Sequence, residues 1–199
     1  MATVREKVKL LIEHLLLEQR RGLGCAQVAQ AIQQERAVNP GMPGEPFFEV
    51  VEEACRREAL LSLAKLLIAE GESISIDYLL NCALEVPSRV FQQATRDEIL
   101  ESVLENRQQI GELAPLAEQL KAQRDRLLAH LDRKHVNEPE VLEFEPLETE
   151  LVIGTFEKLG EIIQIYKSYL GVEERSFEGE DLDLDAATRS VIDQLKRTG

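Results

Sequence analysis

The chain has 199 residues, of which 44% are hydrophobic and 30% are charged, and its formal net charge at pH 7 is −14. This length is sufficient for one domain with a hydrophobic core, and the high charged fraction excludes a protein that is largely buried in lipid. The strong negative charge argues against general affinity for nucleic acid, because it repels phosphates unless basic residues are concentrated in one place.

The N-terminal segment has the pattern of a helix rather than of a targeting signal. Glutamate and lysine residues stand where a secretory signal would be apolar, and the longest nearly apolar run, residues 59–69, contains Lys65. That run is too short and too charged to span a bilayer. We therefore expect a cytoplasmic protein without a membrane segment.

Apolar residues recur at helical spacing from the start of the chain, and almost no segment alternates with a period of two, so we expect no strands. The pattern predicts a first helix over about residues 2–20, ended by Gly22 and Gly24. A short second helix follows around residues 28–32. Three prolines and two glycines then occur within residues 39–46, which predicts a loop.

From Phe47 the apolar residues cover much of a helix circumference, which is typical of a central helix that neighbours cover on several sides. We expect this helix to end at Gly71. Ser75 then has the position of an N-cap for a helix that ends before Pro87.

Thr95 and Glu98 have the spacing of a capping box, which predicts a helix from there to about Leu113. Gly111 and Pro115 predict a break or kink, followed by a helix over about residues 115–135. Asn137 and Pro139 would stop that helix, and residues 140–150 form an acidic connector.

A last long helix is predicted over residues 151–170, and the strongly acidic residues 172–185 are expected to be poorly ordered before a short terminal helix. The fold class is therefore all-α. We expect a helical bundle over residues 1–171 and an acidic C-terminal tail over residues 172–199.

The three cysteines, Cys25, Cys55 and Cys82, are about thirty residues apart and form no C-x-x-C pair. An odd and dispersed set is a poor disulfide framework and a poor zinc site. The expectation is three small buried thiols in a reducing compartment.

The predicted 115–135 helix contains the residues that suggest chemistry. On a helical wheel centred on Leu120, Arg124 falls at about 40°, inside the apolar stripe, so it must pair, reach across an interface or extend to solvent. His130 falls at about −80° and Lys134 at about −40°, where both can line a cleft beside the buried seam.

Charge in this stretch runs against the average of the chain. Residues 121–135 have a formal excess of three positive charges, since two aspartates face five basic residues: Lys121, Arg124, Arg126, Arg133 and Lys134. His130 and His135 add groups that titrate near neutral pH. A compact positive site in an acidic protein suits a local anion such as a phosphate.

Arg124 is followed, after five intervening residues, by His130, and the polar Asp125 stands directly after the arginine. This pattern on a bundle helix resembles the HEPN domain superfamily. The LDRK sequence at 131–134 and LAKLLIAEGESISIDYLL at 63–80 resemble its abortive-infection branch of AbiU type. The likeness covers about residues 45–170, which leaves additional N-terminal helices before a HEPN-like core.

The resemblance implies a metal-independent endoribonuclease of phage or stress defence, in which a homodimer brings two copies of the motif together and no cofactor is used. Arg124 and His130 would be catalytic, with His130 as general base or acid and Arg124 on the scissile phosphate. Asp125 would orient one of them. RNA is the implied substrate, held by Lys121, Arg126, Arg133 and Lys134, and a neutralising protein is a further candidate partner.

Two other interpretations stay open. The chain can be a non-catalytic HEPN-like module that binds a nucleotide, RNA or protein, or a helical scaffold without a small-molecule site. In the scaffold, Arg124 would form a buried salt bridge, for example to a glutamate of the 150–170 helix, and His130 would bond a backbone carbonyl. On every interpretation, His135 is expected to be a packing or capping residue, and His14 to fill the core or the surface.

Overall fold

A computed structural model of the protein describes residues 3–41, 44–69, 74–86, 90–129 and 147–171, with side chains described as far as Asp125 in the fourth range. This part of the chain contains six α-helices and no strand, which confirms the all-α fold class. The helices are α1 (Val4–Val38), α2 (Glu45–Leu67), α3 (Ile76–Glu85), α4 (Arg96–Glu112), α5 (Ala114–Ala129) and α6 (Thr149–Leu170).

The prediction of two N-terminal helices was wrong, because α1 runs without interruption for 35 residues through Gly22 and Gly24. Gly22 serves close packing instead of ending the helix. A β-carbon built on it would lie 2.3 Å from Cζ of Phe156 in α6 and 2.8 Å from Cβ of Ser62 in α2. Only a residue without a side chain fits between these two helices.

The predicted N-terminal caps are confirmed. The hydroxyl of Ser75 accepts a hydrogen bond from the Tyr78 amide at the start of α3. Thr95 and Glu98 form the capping box of α4, in which each side chain accepts from the backbone amide of the other residue. Such caps satisfy amides that have no partner within the first helical turn.

The helix predicted from Phe47 ends earlier than expected, and it packs against α1, α3, α5 and α6, as expected for a central helix. α2 begins at Glu45, with proline in its first turn, and ends at Leu67, before the predicted stop at Gly71, which lies outside the described residues. Phe47 is 62% exposed and Val50 is 68% exposed, so the first half of α2 has one uncovered face. The second half contributes the buried residues Ala59, Ser62, Leu63, Ala64 and Leu66.

The helix predicted over residues 151–170 is α6, and its apolar face is buried in the core. Leu151 itself is 46% exposed. The other apolar residues on which that prediction rested are all buried: Phe156, Leu159, Ile162, Ile163, Tyr166 and Leu170. Arg5 near the start of α1 donates through Nη2 to the Leu170 carbonyl at 2.9 Å, which satisfies one of the final carbonyls of α6.

Both α2 and α6 pack on the long α1, α3 packs on α4, and α5 packs on α2. One core joins the six helices, with Val8, Leu15, Leu63, Ile99, Leu120 and Phe156 among its members. Within the described ranges, no helix combines the length and the apolar content that crossing a membrane requires.

The predicted break between α4 and α5 is confirmed, since Leu113 separates the two helices and Pro115 lies in the first turn of α5. Proline is tolerated there because the first amides of a helix have no intrahelical acceptor. The helix predicted over residues 115–135 is described as far as Ala129. Asn137, Pro139 and the acidic tail at 172–199, with its terminal helix, lie outside the described residues.

Candidate functional site

The buried face of α5 sets the position of Arg124. Leu116 is 7% exposed, Leu120 is 1% exposed and Gln123 is 9% exposed, and together they form the inner face of the helix. Because successive residues of a helix are rotated by about 100°, Arg124 stands at the edge of this face rather than at its centre. Its side chain is 22% exposed, so much of it is buried and Arg124 lies at the boundary between the core and solvent.

The guanidinium of Arg124 is held by the neighbouring Asp125. Nη2 and Nε of Arg124 donate to the same carboxylate oxygen, Oδ1 of Asp125, at distances of 2.7 and 3.0 Å. The aspartate side chain is 54% exposed. A planar guanidinium bound through two of its nitrogens has a fixed orientation, which a single contact would leave free to rotate.

Lys121 lies one helical turn before Arg124 and is exposed, and Arg126 belongs to α5 without a described side chain. The remaining predicted site residues, His130, Arg133 and Lys134, lie outside the described residues. The structure thus brings Lys121, Arg124 and Asp125 to one stretch of α5. The meeting of Arg124 with His130 stays a prediction.

This arrangement is suited to binding an anion. A guanidinium carries five N–H donors in a plane that matches the oxygens of a phosphate, and burial of its stem strengthens its electrostatic interactions. The adjacent carboxylate reduces the net charge of the pair, so Lys121 and the other basic residues of the stretch must supply the excess positive charge. Within the described ranges there is no group of three side chains that could hold a metal ion.

A buried polar cluster between α4 and α6 was not predicted from the sequence. Asn106 is 2% exposed and its Nδ2 donates to the hydroxyl of the fully buried Tyr166 at 3.0 Å. The hydroxyls of Ser102 and Tyr169 are 2.7 Å apart in the same region. Burial raises the pKa of Tyr166 to about 12. The signal in the sequence is an asparagine at the position where the apolar stripe of α4, Ile99 and Val103, would continue.

A second missed cluster joins the end of α1 to α2. Glu52 is 9% exposed, and its two carboxylate oxygens accept from Arg36 and Arg56, each at 2.8 Å. The hydrogen bond that Arg36 donates to Glu52 raises the pKa of the Arg36 guanidinium above its ordinary value. Two guanidiniums share the single negative charge of Glu52, and this ion-pair cluster links α1 to α2 within the fold.

The comparisons with known proteins give one result at the level of the family. The family model HEPN_AbiU2, described as AbiU2, matches residues 5–178. The match begins within α1 and continues beyond α6, so it includes every helix described above. A search of curated proteins and a search of solved structures each returned no match.

Proposed function

The chain belongs to the AbiU2 family of HEPN domains, an abortive-infection family, and on that premise we propose that it is a metal-independent endoribonuclease of phage or stress defence. Its catalytic residues in this proposal are Arg124 and His130. The observation that carries the proposal is the Arg124–Asp125 pair on α5, an oriented guanidinium at the edge of the buried face, with five residues between Arg124 and a histidine.

Arg124 is proposed to bind the scissile phosphate. When a ribose hydroxyl attacks the adjacent phosphorus, negative charge increases on the phosphate oxygens, and a guanidinium that is already oriented stabilises this charge without further reorganisation. Asp125 keeps the guanidinium in position through its two hydrogen bonds. Lys121, Arg126, Arg133 and Lys134 are proposed to bind the flanking phosphates.

His130 is proposed to transfer the protons. As a general base it would remove the proton of the ribose 2′-hydroxyl, and as a general acid it would protonate the leaving 5′-oxygen. An imidazole can serve in both roles because its ordinary pKa lies close to neutral pH. One histidine cannot hold both protonation states at once, and a second copy of the motif across a homodimer would supply the other.

The experiment is RNA cleavage by the purified full-length protein in the presence of excess chelator. We expect the RNA to be degraded, and we expect His130→Ala to abolish degradation while the circular dichroism spectrum of a helical protein is retained. Equal cleavage by the wild type and by a folded His130→Ala variant would remove this histidine from the mechanism. His135→Ala is the matched control, with cleavage unchanged.

The alternative is a non-catalytic module that binds RNA or a nucleotide. The observation in its favour is that Asp125 accepts two hydrogen bonds from Arg124. A guanidinium oriented in this way can bind a phosphate whether or not the RNA is then cleaved. This alternative predicts RNA retention without turnover, weakened by salt and by Arg124→Ala. Retention of intact RNA by the wild type under the cleavage conditions selects it over the nuclease.

A further inference from the structure

Two of the three cysteines lie where α1 and α2 pack against each other. Cys25 belongs to α1 and Cys55 to α2, and both are partly buried with free thiols. The ion pairs Glu18–Lys65, Arg21–Glu58 and Arg36–Glu52 set an antiparallel register of α1 and α2, and this register places Cys25 opposite Cys55. The pKa values of both thiols reflect a hydrogen bond between them. The spacing along the chain gives no indication of this contact, which arises only from the packing of the two helices.

The backbones of α1 and α2 are close together at this level. One turn before Cys25, a β-carbon built on Gly22 would be 2.8 Å from Cβ of Ser62. Arg21 and Glu58 form an ion pair at 2.9 Å, and Glu58 follows Cys55 by one turn of α2. A disulfide requires α-carbons roughly 4.4–6.8 Å apart, a separation that neighbouring helices reach only where small residues allow such an approach.

We propose that Cys25 and Cys55 form a reversible disulfide that joins α1 to α2. The oxidant is a low-molecular-weight disulfide. The thiolate of Cys55 attacks one sulfur of the oxidant, which breaks its S–S bond, forms a mixed disulfide and releases one small thiolate. Cys25 then loses its proton and attacks the protein-side sulfur of the mixed disulfide, which releases the second small thiolate. The two cysteines lose two electrons, and the oxidant gains them.

The hydrogen bond determines which cysteine reacts first. Burial raises the pKa of Cys25 to about 11, and the neighbouring Cys55 and Glu58 contribute to the increase. Burial also raises the pKa of Cys55, but the hydrogen bond from Cys25 opposes this effect. Cys55 is therefore the first nucleophile. Because only the thiolate reacts, the rate of closure rises about tenfold per pH unit below the thiol pKa.

The disulfide would close a loop that contains the α1–α2 turn. A cross-link of this kind stabilises a protein chiefly by restricting the unfolded chain, so the oxidised protein unfolds at a higher temperature. It also fixes α2, on which α5 packs. The inference does not depend on ribonuclease activity.

The experiment uses the full-length protein treated with oxidised glutathione at pH 8.5, then denatured, alkylated and mapped by peptide mass spectrometry. We expect one cross-linked peptide that contains Cys25 and Cys55, an alkylated Cys82, and a melting temperature that rises and returns after dithiothreitol. Cys82→Ser should retain the cross-link. Cys25→Ser should stop at a glutathione adduct on Cys55 without an increase in melting temperature.

The peptide map of the wild-type protein tests for the Cys25–Cys55 disulfide even if a variant fails to fold. Alkylation of both Cys25 and Cys55 after oxidation would overturn the proposal. The proposal would also be overturned if Cys25 and Cys55 each carried a separate glutathione. Cross-links that involve Cys82 or that join two chains would overturn it as well.

Discussion

A β-carbon built on Gly22 of α1 would lie 2.3 Å from Cζ of Phe156 in α6, well inside van der Waals contact. We expect Gly22→Ala to lower the free energy of unfolding by about 1–3 kcal/mol, because overpacking outweighs the helix propensity gained from alanine. Urea denaturation followed by circular dichroism measures the change.

Gly154→Ala is the matched control for this substitution. Gly154 belongs to α6, and a β-carbon built on it meets nothing within 4 Å. Alanine there should raise the free energy of unfolding by about 0.5–1 kcal/mol. Similar stabilities for the two alanine variants would contradict the close packing of α1 on α6.

The capping box of α4 predicts a pH-dependent contribution to stability. The Thr95 amide, and then its hydroxyl, lower the pKa of Glu98 below its ordinary value of 4.5. A carboxylate with a lowered pKa stabilises the fold above its unfolded pKa, and the effect is lost as pH falls through the lowered value. We therefore expect Glu98→Gln to lower the melting temperature at pH 7 more than at pH 3. Glu101→Gln, beyond the cap, should show no such difference.

The raised pKa of Tyr166 predicts that the protein loses stability at alkaline pH. Its pKa is raised from 10.0 to about 12, chiefly by burial, so the folded protein retains a proton that the unfolded chain releases between these values. The contribution of Tyr166 to the free energy of unfolding is fully present below pH 10. It falls by up to roughly 2–3 kcal/mol as the pH rises toward 12. The measurement is urea denaturation at pH 8 and at pH 11.

Tyr166→Phe should reduce this alkaline loss while lowering stability at pH 8 by about 1–3 kcal/mol, because Asn106 loses its buried acceptor. The half-exposed Tyr78 provides the control, and Tyr78→Phe should leave the alkaline loss unchanged. An alkaline loss of equal size in Tyr166→Phe and in the wild type would assign the effect to other groups.

If the proposed nuclease activity holds, substitution of Asp125 should lower kcat without raising KM. Asp125→Asn weakens the two charge-assisted bonds that orient Arg124, and we expect kcat for RNA cleavage to fall about tenfold. KM should not rise, because the variant is less negative. Lys121→Gln should instead raise KM and reduce its salt dependence while kcat is maintained. An unchanged kcat in Asp125→Asn would exclude the orienting role.

Local features of this fold could be predicted from the sequence, and contacts between distant segments could not. The caps at Ser75 and Thr95 depend on residues three positions away, so their spacing alone was sufficient. The local sequence around Gly22 predicts a helix end, whereas its actual role depends on Phe156, which is far away in the sequence. The Asn106–Tyr166 hydrogen bond was missed for the same reason.

At the candidate site, too, the local features could be predicted from the sequence and the contacts between distant segments could not. The helical wheel predicted Arg124 at the buried side of α5, and the residue stands there with its side chain 22% exposed. The contact with Asp125 joins adjacent residues and could be anticipated as the polar position of the motif. Whether His130 faces the same anion depends on how the chain continues after Ala129, and that is a tertiary property which the helical period alone does not determine.

The most direct test of the account is whether one anion contacts both Arg124 and His130. Histidine-selective isotope labelling of the full-length protein, with addition of a non-cleavable 2′-O-methyl RNA oligonucleotide, reports on the three imidazoles separately by NMR. We predict that the His130 resonances shift on RNA addition, that the His14 resonances do not, and that Arg124→Ala removes the His130 response. Binding of the RNA without any change at His130, or an unaltered His130 response in Arg124→Ala, would contradict a shared site.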